Sequence, residues 1–344
     1  MISKFEVPSG GQAAAYHDKA FANDGAGVTA DNYYANDAAP ATWQGKGAEI
    51  LGIEGQLVKR ADFIAFLDGK LPNPTTGVIQ NLADNSRGAD RRAGWDFTVS
   101  APKSVSIVGL VGQDARVMAA HKTANAKALG WLETHGALMR VKDDLGANVK
   151  EQTGNLLYAT VQHETSRANE PQLHNHNVIV AATFDAAQDK WRSLTNDEIF
   201  NLRTDADAIY KAALGKELKL AGYELVYDAN GVDFEIKGLS AAQLGTYSSR
   251  TQQIDEALRA RGFDPESASW AARQAAALNT RAKKVELPRD VLHEVWREKA
   301  QEAGLDVAHL VENSLKRAQE LGSMPGDLAE PSQRGGNNCG QLGS

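Results

Sequence analysis

One cysteine in 344 residues, Cys339, leaves this chain unable to build an internal disulfide framework or a cysteine-rich metal site. No apolar run approaches the ~20 residues that span a bilayer, and Met1 to Gly10 lacks the basic-then-apolar plan of a secretion signal. Basic residues are not in excess either. The balance is 37 Lys and Arg against 44 Asp and Glu, a net charge of −7. That weighs against a general nucleic-acid binder, although contact with a nucleic acid is governed by local charge. No G-x-x-x-x-G-K-[ST] phosphate loop and no internal repeat occur. The remainder, 42% hydrophobic and 24% charged, is ordinary globular composition, long enough for one large domain or two of usual size. A reducing, cytoplasmic setting is expected.

Against these absences stands one dense stretch, Glu151 to Phe184. Three of the eight histidines, His163, His174 and His176, lie within it. Leu156 to Val161 alternates as a strand and delivers His163 at or just past its end. The polar turn ETSRANEPQ follows, broken by Pro171. Leu173 to Thr183 alternates again, and a spacing of two puts His174 and His176 on one strand face. If the two strands pair, three imidazoles converge on that face as a metal site with open positions. The plainer alternative is a set of polar residues beside a turn.

The rest of the chain reads as α+β. Ser3 to Val7 is a short strand, Gln12 to Ala22 is helix-prone and carries Tyr16 and His17, and Arg60 to Asp68 is helical. Leu71 to Ala93 reads as loop. In Gly94 to Val99, Trp95, Phe97 and Val99 face one way and Asp96 and Thr98 the other. Asp114 to His135 has helical spacing. Thr195 and Asn196 are cap candidates for the next helix, and Ala206 to Leu220 continues helical. Tyr223 to Tyr227 and Val232 to Ile236 flank a hairpin turn. Four helical stretches follow, Leu244–Arg259, Glu266–Lys283, Pro288–Ala303 and Val307–Leu321. The Gly/Ser/Asn-rich end reads as a tail or linker. The expected division is a core over 1–237, a helical extension of the same domain over 238–321, and a disordered tail over 322–344.

A carboxylate such as Asp96, near a ligating imidazole, fixes its tautomer or takes a proton from an attacking group. Tyrosine is the candidate nucleophile, and with a pKa of about 10 it needs a base or cation nearby. Spacing alone leads no further than a metal-dependent phosphotransferase or hydrolase.

Four segments then carry a resemblance. They are YYANDAAPATWQGKGAEILG (Tyr33 to Gly52), GWDFTVSAPKSVS (Gly94 to Ser106), TGNLLYATVQHETSR…PQLHNHNVIV (Thr153 to Val180), and WRSLTNDEIF (Trp191 to Phe200) with a downstream TRAKK (Thr280 to Lys284). Together they resemble the MobF-type (TraI/TrwC-like) conjugative relaxases of the HUH endonuclease superfamily, over about the first 300 residues. The resemblance implies a central, mostly antiparallel sheet with flanking helices, and a helical C-terminal extension closing over single-stranded DNA. It implies metal-dependent nicking and rejoining of one strand at a plasmid origin of transfer, through a 5′-phosphotyrosyl intermediate. Tyr16 would be the first nucleophile, and Tyr33 or Tyr34 would serve a second transfer. His163, His174 and His176 would hold a divalent ion, with Asp96 as general base or histidine orienter.

Mg or Mn is expected to support the chemistry, whereas imidazole affinity favours Zn, Ni or Cu. The partners implied are single-stranded or hairpin DNA at the origin, together with relaxosome and conjugative secretion proteins. The setting implied is a bacterial donor cell, with transfer to a recipient. Such relatives usually continue into a helicase, but without a phosphate loop no helicase activity is expected here, and the tail marks either a cut linker or a short form. This sequence departs from the family pattern in having Tyr16-His17 instead of a tyrosine pair, and a longer spacer before Tyr33. His17 reads as exposed helix filler or as an aid to Tyr16.

Arg87, Arg91, Arg92, Lys103, Arg167, Arg192, Arg250, Arg281, Lys283 and Lys284 are candidate DNA phosphate contacts, and Trp191 with Arg192 is a weak candidate for base stacking. Tyr158, Tyr210, Tyr223, Tyr227 and Tyr247 read as core. His121, His135, His293 and His309 lie in helical stretches without assigned partners. Two rival readings remain: a cupin-like tri-histidine metalloenzyme, and a non-catalytic origin-binding module with a structural metal.

Overall fold

The computed structural model describes residues 1–7, 9–17, 21, 40–82, 92–280 and 287–323. Its N-terminal part contains β1 (Ile2–Val7), α1 (Gly10–Tyr16), β2 (Thr42–Gln44), α2 (Lys46–Ile50), α3 (Arg60–Leu67), β3 (Lys70–Pro72) and β4 (Ile79–Asn81). The middle follows with β5 (Gly94–Ser100), α4 (Lys103–Leu110), α5 (Ala115–Gly136), β6 (Leu138–Lys142), β7 (Asn148–Gln152), β8 (Tyr158–Thr165) and β9 (Pro171–Val180). Next come β10 (Ala182–Asp185), β11 (Lys190–Ser193), α6 (Asp197–Asn201), α7 (Arg203–Leu220), β12 (Leu225–Tyr227) and β13 (Phe234–Ile236). The helices α8 (Ala241–Thr246), α9 (Ser249–Arg259), α10 (Trp270–Asn279), α11 (Arg289–Glu302) and α12 (Val307–Ser323) complete it.

The central sheet is antiparallel throughout, in the order β1-β5-β9-β8-β2. Strand alternation divides its side chains between two cores. Trp95, Phe97, Val99, Leu173, Ile179 and Tyr158 face α4, α5 and α7 in the larger core. Val7, Val161, Val178, Ala159 and Trp43 face α1 and α3 in the other. Being buried on both faces, β9 carries little exposed surface.

Helix α1 is fixed by a close approach. A Cβ added at Gly10 would fall 2.7 Å from the Ile64 carbonyl oxygen, so glycine lets α1 press against α3. The Gly10 N–H also donates to Asp68 Oδ1 at 3.2 Å, and the Ser9 hydroxyl caps the helix through the Gln12 N–H. The helical extension shares the larger core through Tyr247, Leu292, Trp296 and Ala300. It grips the turn between β8 and β9: Arg289 pairs with Glu164 at 2.7 Å, Trp296 Nε1 donates to the Asn169 carbonyl at 2.7 Å, and the Ser249 N–H donates to Glu170 at 2.9 Å.

Several expectations need correction. The first helix stops at Tyr16, six residues before Ala22, with the His17 N–H closing it on the Ala13 carbonyl. The presumed loop Leu71 to Ala93 contains the β3–β4 ribbon. Strand β8 extends through His163 to Thr165, while the strand read as Leu173 to Thr183 divides at Ala181. Asn196 occupies the N-cap of α6 without a side-chain capping bond, and Thr195 Oγ1 donates to the Leu138 carbonyl. Tyr227 is 41% exposed and does not belong to the core. His121, His135, His293 and His309 do have partners, in Tyr210, the Trp131 carbonyl, Gln113 and Asn313.

Candidate metal centre and nucleophile

The register of the sheet assembles the site. His163 on β8 lies directly opposite His174 on β9, and Val161 lies opposite His176. On the other side of β9, Thr98 is opposite His176 and Asp96 is opposite Val178. Since partners share a face, one surface carries all three imidazoles with Asp96 and Thr98 beside them. The three ring centroids are 5.0 to 5.4 Å apart. One ligand atom from each lies within 4.8 Å of the others.

Two hydrogen bonds set the tautomers. His176 Nδ1 donates to Asp96 Oδ2 at 2.6 Å, and His174 Nδ1 donates to the Gln172 carbonyl at 2.9 Å. Each leaves its lone pair on Nε2, the arrangement a metal ligand requires. Thr98 Oγ1 sits 3.2 Å from His176 Nδ1 and 3.4 Å from Asp96 Oδ1. Burial alone would raise the Asp96 carboxyl. The His176 imidazole, its hydrogen bond and the nearby His17 and His174 instead hold it below the usual carboxylate range. His176 Nε2 is buried and has no hydrogen-bond partner among the described residues. A buried orphan beside two further imidazoles fits a metal ligand, and three nitrogen donors suit a divalent ion with positions left for oxygen.

Tyr16, at the end of α1, stands over this cluster. Its ring stacks on His163 at 6.4 Å and meets His176 edge-on at 5.6 Å, while the side chain remains 56% exposed. The next residue overturns an expectation. His17 is not exposed filler: it is 4% exposed and packs edge-on against Tyr16, His163 and His176. Burial pushes its imidazole down to about 3, helped by His176 and His174 and opposed by Asp96. It is therefore neutral at physiological pH. It forms a second close group with Asp96 and His176.

The basic candidates separate into groups. Arg167 and Arg250 line a cavity of about 520 Å³ together with Tyr16, His17, Asp96 and His176. Arg250 is anchored there by the Thr280 carbonyl at 2.7 Å and by the Ala277 carbonyl. Arg92 and Arg192 line a different cavity, about 670 Å³, together with Arg140 and Lys190, two cations not singled out in the sequence. Arg92 pairs with Glu6 at 3.4 Å and Arg192 with Asp185 at 3.2 Å. Lys103 turns inward, donating to the Pro171 carbonyl at 3.2 Å, and burial lowers its pKa against the pull of Glu170 and Glu235. Trp191 is fully buried, with Nε1 on the Pro72 carbonyl at 2.9 Å, so it has no face to offer a base. Tyr33, Tyr34, Arg87, Arg91, Arg281, Lys283 and Lys284 lie outside the described residues.

Residues 10–303 match the model of the TrwC relaxase family. The chain belongs to that family. It is 32% identical over 340 residues to the multifunctional conjugation protein TraI of Escherichia coli, and 32% identical over 341 residues to TraI of strain K12. Each alignment covers 96% of this chain, which spans 18% of the length of those relatives. Among solved structures, the conjugative relaxase TrwC in a copper-bound complex with oriT DNA is 37% identical, with a TM-score of 0.77. It covers 89% of this chain and 100% of its own. TrwC with a 27-mer containing the recognition hairpin and cleavage site is 36% identical over the same shares, with a TM-score of 0.76. The mixed helical and antiparallel architecture is thus that of a TrwC-type relaxase. No helix among the described residues is long and apolar enough to cross a membrane.

Proposed function

We propose that this chain is the relaxase module of a conjugation system, nicking and rejoining one DNA strand at an origin of transfer. The observation that carries the reading is Tyr16 standing over the His163–His174–His176 cluster, with Asp96 bonded to His176 behind it. In the proposed step the Tyr16 phenol oxygen attacks the scissile phosphorus. The bond from phosphorus to the 3′-oxygen breaks, the phenol proton passes to that oxygen, and a 5′-phosphotyrosyl ester and a 3′-hydroxyl result. The ester keeps the energy of the phosphodiester, so the reverse attack rejoins the strand without a nucleotide.

Asp96 acts in this reading as orienter, because its Oδ2 is already committed to His176 Nδ1. Arg167 and Arg250 face the same cavity as Tyr16 and would neutralise flanking phosphates. The three imidazoles would hold the metal through Nε2 of His174 and His176 and a nitrogen of His163. A bound divalent cation would polarise the non-bridging phosphate oxygens and draw off charge as five-coordinate phosphorus forms. Mg or Mn is proposed to support the activity, since oxygen ligands complete the set. Tyr33 or Tyr34 is proposed for the second transfer, with relaxosome and secretion proteins as partners in the donor cell. The core over 1–237 and the extension over 238–321 are proposed to work as one DNA-closing unit.

The test is a labelled single-stranded oligonucleotide carrying the origin, incubated with the protein and Mg or Mn. A covalent adduct is expected, and Tyr16→Phe should form none. No adduct on either origin strand, or an equal adduct with Tyr16→Phe, would overturn the reading.

A further inference from the structure

The side of β9 turned away from the histidines carries Leu173, Asn175, Asn177 and Ile179, and its two asparagines are 2% and 0% exposed. Asn177 is enclosed by apolar core yet has a full set of bonds. Its Nδ2 donates to the Phe97 carbonyl at 3.0 Å and to Asn125 Oδ1 at 2.9 Å. Its Oδ1 accepts from Asn125 Nδ2 at 3.0 Å and from Thr160 Oγ1 at 2.9 Å. The side chain thus ties α5 to β5, β8 and β9, the three strands that carry Asp96 and the three histidines. Asn125 is itself buried, 4% exposed, among Ala124, Ala128 and Leu129 of α5.

Such a pair adds little net stability compared with apolar residues of the same shape, so its presence calls for another role. The motif it sits behind supplies one. With histidines at a spacing of two, sliding β9 by one residue would flip every side chain and is excluded by burial. A slide of two residues would keep apolar positions facing the core and still put a histidine opposite His163. It would, however, remove a histidine from Thr98 and Asp96. Apolar packing discriminates poorly against that slide, whereas the slide would put Ile179 in the place of Asn177 and leave the Asn125 amide without its partner.

We propose that Asn177 and Asn125 are positioning residues: their buried amide pair sets the register of β9, and so holds His174 and His176 at their places against His163 and Asp96. This rests on the reading of the three histidines as a divalent-metal site. The pair touches neither metal nor DNA and acts through the strand.

The test uses Co(II), whose visible spectrum reports ligand geometry, titrated into the whole chain. Wild-type protein is expected to bind Co(II) with a defined spectrum; failure to do so would sink the metal reading itself, independently of the asparagines. In the Asn125→Leu/Asn177→Leu double variant the fold is expected to persist with a melting temperature lowered by only a few degrees, because the two amides leave together and only the Thr160 hydroxyl and the Phe97 carbonyl lose a partner. Its Co(II) affinity should fall at least about tenfold with an altered spectrum, as for residues supporting metal ligands. A folded double variant with wild-type affinity and spectrum would overturn the proposal. If near-ultraviolet circular dichroism shows that the double variant does not fold, Thr160→Val decides, since it removes one bond to Asn177 and keeps side-chain shape. A Co(II) affinity reduced about threefold at unchanged melting temperature supports the positioning role; unchanged affinity overturns it.

Discussion

On the face of the central sheet turned toward α5 and α7, Asn125 and Asn177 use their buried side-chain groups on each other and on their neighbours. On the opposite face, under α1, His176 Nε2 and His17 Nδ1 are buried with no hydrogen-bond partner among the described residues. Both faces bury polar atoms a few ångströms apart in the same strands. One face gathers unmatched imidazole nitrogens around a single point, whereas the other spends the Asn125 and Asn177 amides fully and leaves Trp95 Nε1, His121 Nε2 and Asn175 Oδ1 unmatched. Since an unmatched buried polar atom costs about 1–3 kcal/mol, the site face is destabilised locally in exchange for ligand capacity. The other face supplies the order that holds it.

That contrast predicts opposite responses to mutation. The largest effect is expected from His174→Ala. Losing one of three imidazoles should weaken divalent-metal binding by more than about 100-fold, beyond the effect of losing an orienting partner. The metal-free protein should lose little melting temperature, because His174 belongs to neither apolar core. Metal titration and thermal melts on the same preparation check this. Retained metal at full stoichiometry would remove the site face from the comparison.

Asp96→Asn comes next. The amide keeps the shape but can offer its NH₂ in place of an acceptor, so His176 is no longer held in the tautomer that presents Nε2. Metal affinity should fall by about 10–100-fold. DNA binding measured without metal should be nearly unchanged. An equal loss of metal-free DNA binding would show that Asp96 acts on the nucleic acid directly and not through His176.

A smaller effect is expected from His17→Phe, which keeps a ring against Tyr16, His163 and His176 and removes the unmatched nitrogen. If His17 serves as packing beneath the nucleophile, covalent adduct formation should fall by less than about fivefold and stability should rise by about 1 kcal/mol. A fall as deep as that of His174→Ala would make the imidazole nitrogen part of the chemistry.

These residues also mark how far the sequence could be read. The three histidines were legible because strand period and HxH spacing are local rules, and one hairpin supplies the third. The in-and-out pattern of Gly94–Ser100 was legible for the same reason. His17 was not: an Ala-rich stretch gives no sign that its helix ends at Tyr16, and that ending is what turns the next side chain inward. Asn125 and Asn177 stand 52 positions apart and neither belongs to a motif, so their pairing depends on how α5 lies on the sheet. Trp191 looked available for stacking because its burial comes from the β3–β4 ribbon, a segment that read as loop. The division of the arginines between two cavities is likewise a product of tertiary packing.

The mildest expected effect concerns pH and belongs to the helix-covered face. His121 is fully buried, with Nδ1 at 2.7 Å from the Tyr210 hydroxyl, and burial pushes its pKa down to about 3, with His174 adding to the fall and Asn175 opposing it. Between pH about 6.5 and about 3 the unfolded chain holds a proton on this group that the folded chain does not. Its contribution to stability is therefore complete above about 6.5 and is lost as pH falls toward 3. His17, depressed to a similar value on the site face, has the same sign. Replacing both partners, in His121→Phe/Tyr210→Phe, removes one such group without stranding a hydroxyl. The double variant should be within about 1 kcal/mol of wild type at pH 8 and should lose less stability between pH 7 and pH 5 in urea melts. The His17→Phe variant should flatten the same profile independently, the two effects adding because the residues lie on opposite sides of the sheet. If the first double variant keeps the wild-type slope, proton uptake on unfolding is not shared between the faces, and acid sensitivity belongs to the site face alone.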